Sequence, residues 1–454
     1  MEPSAQSGEL SGLSDVRQVS LAGSEQATGF ATKSRLRYLL VMVIFLIAMV
    51  VNIDRSNVSI AGTYIAADFH ISTIQLGWVF SAFMLGYAAF LIPSGWIVGR
   101  LGPRRTLTGG LIWWGALTVA TALVPPTMAG ALWALMLVRF ILGLGEALAY
   151  PSANQFIAAW FPSHERGKAN ALVQGGAQFG SGVAPPLVAF IIYNFGWHAV
   201  FYVSAAIGLA VASLWYWAAR DRPAEHPRMT AAEMVHIEAG LPVKIEAVTP
   251  PVPWGKIFSS KDAWGTALAY AGFGYAATIF STWFFIYLKE GRGFDLKSSA
   301  ILGMLPFIAT TTCCLAGGAA SDWLVKRVSP YVGRCVFGAF SLALSGVILI
   351  VGSHAENAVV AALLLACGAG AIYLGQAVYY AVAADLGGPY AGVVSGMVSM
   401  CGQIAGAITA SLTPYLASRY GWEYAFYVAA GVTFACIIPW LFVNPKHRVY
   451  AQPE

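Results

Sequence analysis

Four charged residues lie in the middle of long apolar stretches of this 454-residue sequence. Asp54 and Arg55 interrupt the first stretch, and Arg139 and Glu146 lie within a later one. Stretches of this length are typical of membrane-spanning helices, in which a charged side chain is costly and usually serves a function. Two helical turns separate Arg139 from Glu146, which places them on one face, about 10 Å apart. The pattern indicates a pathway for an ion or a charged substrate.

Arg55 is the candidate for substrate binding. Its planar guanidinium presents a fork of donors that matches a carboxylate, and a low dielectric strengthens that contact. The alternative is that Arg55 only neutralises Asp54 or Glu146. Because adjacent side chains on a helix diverge by about 100°, Asp54 and Arg55 point in different directions. This divergence favours the substrate-binding role.

Asp54 and Glu146 are the candidates for proton coupling. Burial and a neighbouring arginine change the pKa of a carboxyl in opposite directions, so a carboxyl under both influences can load and release a proton near neutral pH. Structural pairing with Arg139 is the competing explanation for one of the two acids. We favour Glu146 as the proton site, with Arg139 and Asp54 as a second, partly structural pair. The sequence leaves the assignment between the two acids open.

Neutral polar and aromatic residues supply further candidates. Tyr87, Gln178 and Gln403 are able to hydrogen-bond a substrate, although amides in apolar helices also bond neighbouring helices. Several aromatic residues of the second half are candidates for a wall of the site, although packing or anchoring at the membrane interface is the better explanation for each one alone: Tyr270, Tyr275, Trp283, Tyr287, Tyr373, Tyr379 and Tyr380.

The elements that position these residues are membrane helices. The chain is 58% hydrophobic and 10% charged, whereas soluble domains carry about 25% charged residues. Twelve apolar stretches of spanning length predict an all-α polytopic membrane protein. With both termini cytoplasmic, most of the 26 Lys and Arg residues fall on the cytoplasmic side, as membrane proteins prefer. The net charge of +5 therefore reports topology and gives no indication of nucleic-acid binding.

The two halves of the chain repeat each other. Residues 196–203 recur as 421–428, and Gln178 corresponds to Gln403. Six-helix repeats in one orientation predict two pseudo-symmetric bundles with the site between them. Thr230 and Glu233 can cap a short helix, through about Ala239, in the polar connector. The predicted organisation is a disordered cytoplasmic tail (1–34), an N-terminal six-helix bundle (35–222), a cytoplasmic linker (223–262), a C-terminal six-helix bundle (263–445) and a cytoplasmic tail (446–454).

Local motifs resemble those of the major facilitator superfamily, and more narrowly of its anion:cation symporter branch. This branch includes sialin and the galactonate, hexuronate and phthalate transporters. The motifs are residues 139–147 (RFILGLGEA) followed by Pro151, residues 160–166 (WFPSHER), residues 220–228 (RDRPAEHPR) and residues 385–388 (DLGG). The resemblance implies the major facilitator fold and transport of an organic anion.

The chain departs from the family pattern at positions that concern gating and specificity. The loop motif of the superfamily is present as Arg100, Arg104 and Arg105, but Gly99 replaces its acid, while Asp322 is kept in the second half. The resemblance implies that these four charged residues gate the conformational change. Ser399 and Gln403 stand where the branch commonly has asparagines. Residues 381–384 (AVAA) lack the hydroxyls of the sugar-acid transporters, which leaves an aromatic or smaller carboxylate open as the substrate.

The sequence thus predicts a secondary active transporter that takes up an organic carboxylate, such as a sugar acid or an aromatic acid, together with protons. The alternative is a proton-coupled drug or metabolite exporter, although residues 176–183 (GAQFGSGV) lack the usual exporter motif. We expect no enzymatic activity, cofactor or metal. The expected partners are the anion, protons and the lipid bilayer. We expect a monomer in the plasma membrane, the inner membrane of a bacterium.

Overall fold

The computed structural model describes residues 36–162, 164–240, 252–445 and 447–448. The predicted tail 1–34 and most of the tail 446–454 lie outside the described residues. Within the described ranges, twelve helices are long and apolar enough to cross a membrane, numbered here in chain order. They are α1 Leu36–Asp68, α2 Thr73–Leu101, α3 Pro103–Leu123, α4 Ala131–Trp160, α5 Arg166–Phe195, α6 Trp197–Ala218, α7 Lys261–Gly291, α8 Leu296–Arg327, α9 Val332–His354, α10 Ala358–Gly387, α11 Ala391–Tyr420 and α12 Trp422–Leu441.

These helices form the predicted fold of two six-helix bundles, α1–α6 and α7–α12. Corresponding helices of the two bundles are interrupted at corresponding places. The regular part of α4 ends at Glu146 and resumes at Ala149, and that of α10 ends at Tyr373 and resumes at Gln376. Broken helices in transporters line the site between repeats. The first of these interruptions directly follows a charged residue.

Glycines allow the helices of the first bundle to pack closely. A methyl group on Gly176 or Gly180 of α5 would collide with the backbone of α1 at Phe45 and Met49. Gly143 of α4 approaches the backbone of α2 at Phe83 in the same way. Small residues at helix crossings are the usual means of bringing membrane helices together. This packing brings α1 and α4, which carry all four mid-membrane charges, into one bundle.

The connector contains the predicted short helix, Ala231–Ala239. Thr230 caps it, because the Thr230 hydroxyl accepts a hydrogen bond from the Glu233 amide at 3.3 Å. The Glu233 carboxylate accepts a hydrogen bond from Arg37 Nη1, at the start of α1, at 3.0 Å. Arg37 also pairs with Glu165, in the α4–α5 loop, and His236 of the linker helix bonds the same carboxylate. These contacts fasten the linker helix to the first bundle.

The two bundles touch at one end of the molecule and separate at the other. At the end opposite the linker helix, Ser59 Oγ bonds Thr282 O at 2.5 Å, and Lys289 Nζ bonds Thr63 Oγ1 at 2.9 Å. Ser81 Oγ of α2 also lies 2.6 Å from Ser411 Oγ of α11. We call this the closed end.

Towards the linker side, glycines of α2 and α11 have no close neighbours. Gly95 and Gly99 on α2 and Gly396 on α11 have open space where a Cβ would lie, whereas a Cβ on Gly77, at the closed end of α2, would be 2.5 Å from Ala410 O. The same pair of helices is therefore in close contact at one end, and these three glycines make no such contact towards the other. The space between the bundles opens towards the side of the linker helix, which we call the open end.

Candidate functional site

An ion pair between Arg55 and Glu146 lies at the centre of the molecule. Arg55 Nε donates to Glu146 Oε1, which joins α1 to the interrupted part of α4. The Glu146 side chain is 1% exposed and that of Arg55 is 27% exposed, so of the two side chains only that of Arg55 is partly exposed. Arg55 Nη2 and Glu146 Oε2 are buried without a hydrogen-bond partner among the described residues. The pair thus has one free donor atom and one free acceptor atom.

Aromatic rings support the guanidinium groups. Arg55 Cζ lies 4.7 Å from the centre of the Tyr87 ring. The Phe83 ring, one turn earlier on α2, has Arg55 Cζ at 5.6 Å and Arg139 Cζ at 5.0 Å. Contacts of this kind stabilise a cation most where water is excluded. Nε and Nη1 of Arg139 have no hydrogen-bond partner among the described atoms, so the rings and the charges nearby are its main stabilising contacts.

Asp54 faces away from Arg55, as the helical geometry predicts. Its carboxylate is fully buried and accepts hydrogen bonds from Trp114 Nε1 at 2.8 Å, Asn57 Nδ2 at 2.9 Å and Thr118 Oγ1 at 3.3 Å. The expected Asp54–Arg139 ion pair does not form within 4 Å in the described chain, and Arg139 acts on Asp54 from a greater distance. The Trp114 indole and the Thr118 hydroxyl of α3 hydrogen-bond this carboxylate in place of Arg139.

The neutral candidates are divided between the two bundles. Tyr87 is buried beneath Arg55. Ser399 belongs to the second bundle, where its hydroxyl lies 3.1 Å from Tyr380 Oη. Gln178 and Gln403 are half-buried. The structure thus brings Tyr87 to the charged centre and places Ser399 on the opposing wall.

Three residues near the charged centre were not among the predictions. Trp114 bonds Asp54, and Tyr150 lies near enough to act electrostatically on Arg55. Asn52 bridges Ala48 O, at 2.8 Å, and Tyr150 Oη, at 3.3 Å. Asn52 precedes Asp54 by two positions in an apolar helix, so its polarity was an available signal. Trp114 and Tyr150 resemble ordinary packing residues in the sequence.

The predicted gating residues make contacts within their own bundles at the open end. Arg104 donates from Nη2 to Tyr216 O at 2.7 Å, and its amide donates to Asp221 Oδ1 at 2.8 Å. Arg100 stacks on Trp96 with Cζ 4.5 Å from the ring centre. Asp322 pairs with Arg334 at 3.2 Å. Arg105 is exposed.

The described residues include one group with the spacing of metal ligands, His164, Glu165 and His236, beside the linker helix. The Glu165 carboxylate already accepts hydrogen bonds from Arg37 and Tyr38. Although burial raises the pKa of Glu165, the hydrogen bonds from Arg37 and His236 hold it below the usual value. This carboxylate is therefore satisfied by the protein itself, and we assign it a structural role.

Sequence comparison identifies similar proteins over most of the chain. The Major Facilitator Superfamily profile matches residues 44–410 and 394–454. The probable sulfoacetate transporter SauU of Cupriavidus necator is 32% identical over 422 residues, which cover 92% of this chain and 96% of that protein. The probable anion transporter 1 of rice (Oryza sativa subsp. japonica) is 30% identical and covers 96% of this chain and 83% of its own. The probable galactarate/D-glucarate transporter GarP of Escherichia coli is 31% identical over 64% of this chain and 68% of its own.

Comparison with solved structures gives the same fold. A D-xylose–proton symporter matches with a TM-score of 0.71 at 16% identity, over 90% of this chain and 98% of that one. A bacterial homologue of the human lysosomal transporter Spinster, in an inward-facing and occupied conformation, matches with a TM-score of 0.69 at 17% identity, over 90% and 97% of the two chains.

Proposed function

Because the chain belongs to the major facilitator superfamily and is a membrane transporter of that type, we propose that it takes up an organic carboxylate together with a proton. The observation that carries the proposal is the Arg55–Glu146 ion pair, with its unpartnered Arg55 Nη2 and Glu146 Oε2. A guanidinium with a free donor, in a site of low dielectric, suits a carboxylate ligand. Glu146, which lies beside this guanidinium and has a carboxylate oxygen without a hydrogen-bond partner among the described residues, suits a proton.

Competition for Arg55 couples the two ligands. While Glu146 is charged, it neutralises Arg55 and leaves little attraction for a substrate anion. When Glu146 takes up a proton, the uncompensated guanidinium attracts a carboxylate, because a buried unpaired charge is unfavourable. The substrate carboxylate then replaces Glu146 as the counter-ion of Arg55. Proton and substrate therefore bind together and leave together.

Asp54 has a supporting role in this mechanism. Its three hydrogen-bond donors stabilise the carboxylate as an anion. As an anion it compensates the charge of Arg139, which is 2% exposed. We therefore assign proton transfer to Glu146, and a positioning role to Asp54 and Arg139. Tyr87, Gln178, Ser399 and Gln403 are proposed to hydrogen-bond the substrate.

The open and closed ends of the molecule suggest transport by alternating access. The positive residues lie mainly on the side of the termini, so we place that side, the open end, in the cytoplasm. The arrangement then corresponds to the state that releases substrate inside. Rocking of the bundles about the Arg55 site would open the closed end and bring the gating residues Arg100, Arg104, Arg105 and Asp322 together. The membrane is proposed to be the inner membrane of a bacterium.

The experiment that tests the proposal is uptake into proteoliposomes. Purified protein is reconstituted, an inward proton gradient is imposed, and accumulation of labelled carboxylates is measured against protein-free liposomes. Symport predicts accumulation above the external concentration and its loss when the gradient is collapsed. If substrate is instead driven out against the proton flow, the protein is the exporter that the sequence kept as an alternative. If no carboxylate moves, the proposal is wrong.

A further inference from the structure

Three hydroxyl groups on the second bundle form a hydrogen-bonded chain. Tyr270 Oη lies 2.9 Å from Tyr380 Oη, which lies 3.1 Å from Ser399 Oγ. The chain joins α7, α10 and α11. Tyr380 is 36% exposed, whereas Tyr270 is 8% exposed, so the middle of the chain is the part that a ligand reaches. We call these three residues the hydroxyl chain.

The hydroxyl chain faces the charged centre of the first bundle. Tyr380 is an electrostatic neighbour of Tyr150, and Tyr270 is a neighbour of Tyr87. Tyr373, on the same wall, is a neighbour of Arg55 itself. Tyr87 and Tyr150 in turn interact electrostatically with Arg55, and the Tyr87 ring centre lies 4.7 Å from Arg55 Cζ. A ligand held by Arg55 would therefore extend towards this wall.

The wall carries no charge with which to receive a second anionic group. The apolar stretches of the second bundle contain no Asp, Glu, Lys, Arg or His; they are residues 263–288, 298–321, 335–353, 358–384, 391–418 and 424–443. Gln403, one turn beyond Ser399, is neutral too. At the same depth the first bundle has two acids and two arginines, and their charges sum to zero.

The hydroxyl chain is also limited in the donors that it offers. Each hydroxyl has one hydrogen, and two of the three hydrogens are used within the chain. One O–H donor is left for a ligand. A carboxylate or sulfonate accepts several hydrogen bonds in water, so a single donor is a poor replacement. A phenol or alcohol group of a ligand, which can accept one hydrogen bond and donate one, matches the single donor of the hydroxyl chain.

Aromatic rings also contribute to the wall. Phe273 contacts Tyr373 edge to face, with ring centres 5.0 Å apart, and Tyr270 contacts Tyr380 in the same way at 5.3 Å. Aromatic side chains favour flat ring ligands through offset or edge contacts. The wall is thus uncharged and ring-lined, and the hydroxyl chain gives it one hydrogen-bonding position.

We propose that the site selects monoanions in which one carboxylate binds Arg55 and a ring-sized, weakly polar remainder contacts the hydroxyl chain. This inference rests on the proposed function. A monoanion and one proton on Glu146 together keep the four buried charges balanced, whereas a dianion leaves one negative charge facing the uncharged wall. The substrate class therefore differs from the dianions for which the sulfoacetate and galactarate/D-glucarate transporters are named.

The test compares pairs of ligands that differ in one terminal group, a neutral hydroxyl-bearing or hydroxyl group in one and a second carboxylate in the other. 4-Hydroxybenzoate and terephthalate share a ring and a carboxylate, and D-gluconate and D-glucarate share a carbon chain. Binding to purified full-length protein is measured by thermal shift and calorimetry at one pH. We expect 4-hydroxybenzoate to bind at least about tenfold more tightly than terephthalate, a difference of about 1.4 kcal/mol. D-gluconate should likewise bind more tightly than D-glucarate.

Equal or tighter binding of either dianion overturns the inference. If the dianion binds and its binding is lost in Arg55→Ala, the proposed function survives and only the preference for monoanions is wrong. If no carboxylate binds at all, both fail. Wild-type protein should bind 4-hydroxybenzoate more tightly than benzoate. Tyr380→Phe should reduce the ratio of these two affinities to about one, since it removes the linking hydroxyl. Tyr193→Phe, at a tyrosine that is 82% exposed, is the control and should keep the wild-type preference. An unchanged preference in Tyr380→Phe would also overturn the inference.

Discussion

The two bundles share a backbone plan but differ in chemistry. Both α4 and α10 are interrupted at corresponding places. In the first bundle that region carries Arg139 and Glu146, and the positions that correspond by the repeat are Leu364 and Ala371. The fold therefore places a broken helix beside the site twice, but only one copy is charged. In the proposed mechanism, symmetry of the backbone permits the rocking motion, and asymmetry of the side chains assigns proton and carboxylate to one half.

The largest expected effect comes from removing the charge that distinguishes the first bundle. Arg55→Ala should weaken carboxylate binding by at least about 100-fold, because it removes a buried charged partner. Arg55→Lys should restore little, since a point charge lacks the guanidinium fork. Binding is measured by calorimetry, with Arg419→Ala, an exposed arginine of α11, as the control. Near-normal affinity in the Lys variant would mean that Arg55 acts through charge alone.

Joining the two bundles should also stop transport. Ser81 Oγ and Ser411 Oγ lie 2.6 Å apart across the closed end, so Ser81→Cys with Ser411→Cys should form a disulfide on oxidation. Uptake should then cease and return when a reductant is added, because the closed end must open to admit substrate. Each single variant serves as a control for the native cysteines. Full transport by quantitatively cross-linked protein would exclude movement of the bundles at this end.

Glu146→Gln should separate binding from coupling. Glutamine resembles the protonated acid, so substrate binding and exchange between pre-loaded vesicles should persist while uphill uptake on a proton gradient disappears. Wild-type binding should strengthen as pH falls, because protonation of Glu146 frees Arg55, and the variant should lose this dependence. Affinity against pH is compared with that of Asp54→Asn. If Glu146→Gln still concentrates substrate and Asp54→Asn does not, the two acids have exchanged roles.

The sequence predicted the elements better than the contacts between them. Twelve spans and the Thr230 cap follow from local patterns of hydropathy and helix capping, and both were confirmed. That Asp54 and Arg55 diverge also follows from one helix alone. Which groups they meet depends on the tilt and rotation of α3 and α4 against α1. For that reason no sequence pattern indicated that the Trp114 indole would hydrogen-bond Asp54 in place of Arg139.

The aromatic wall illustrates a second limit. Tyr270, Tyr373 and Tyr380 were among seven aromatic candidates that the sequence ranked equally. The structure places these three near the charged centre, whereas Tyr287 and Trp283 pack together with Trp422 at the closed end. Packing and binding use the same aromatic residue types, so only position separates them.

Adding charge to the second bundle is the converse of removing it from the first. Ala371 corresponds to Glu146 and is 3% exposed, but no arginine accompanies it. Ala371→Glu should lower the free energy of unfolding by about 3 kcal/mol more than Ala371→Gln, which has the same size without the charge. Thermal unfolding in detergent at neutral pH measures the difference. It should narrow as the pH is lowered and the acid becomes protonated; a difference that does not depend on pH would point to crowding instead.

The smallest expected effect concerns the linker helix, which contacts the first bundle through Arg37 and Glu165. Glu165 receives bonds from Arg37, Tyr38 and His236, and its pKa lies below the usual value because the bonds from Arg37 and His236 outweigh burial. A carboxyl with a lowered folded pKa contributes stability above its unfolded pKa, about 4.3, and loses it as pH falls through the folded value. Glu165→Gln should therefore weaken docking of the linker helix by about 1 kcal/mol at pH 7 and by less in acid.

Hydrogen exchange of residues 231–239 measures docking of the linker helix. Glu238→Gln, on the exposed side of that helix, is the matched control. Equal protection in both variants at neutral pH would show that Glu165 does not hold the helix.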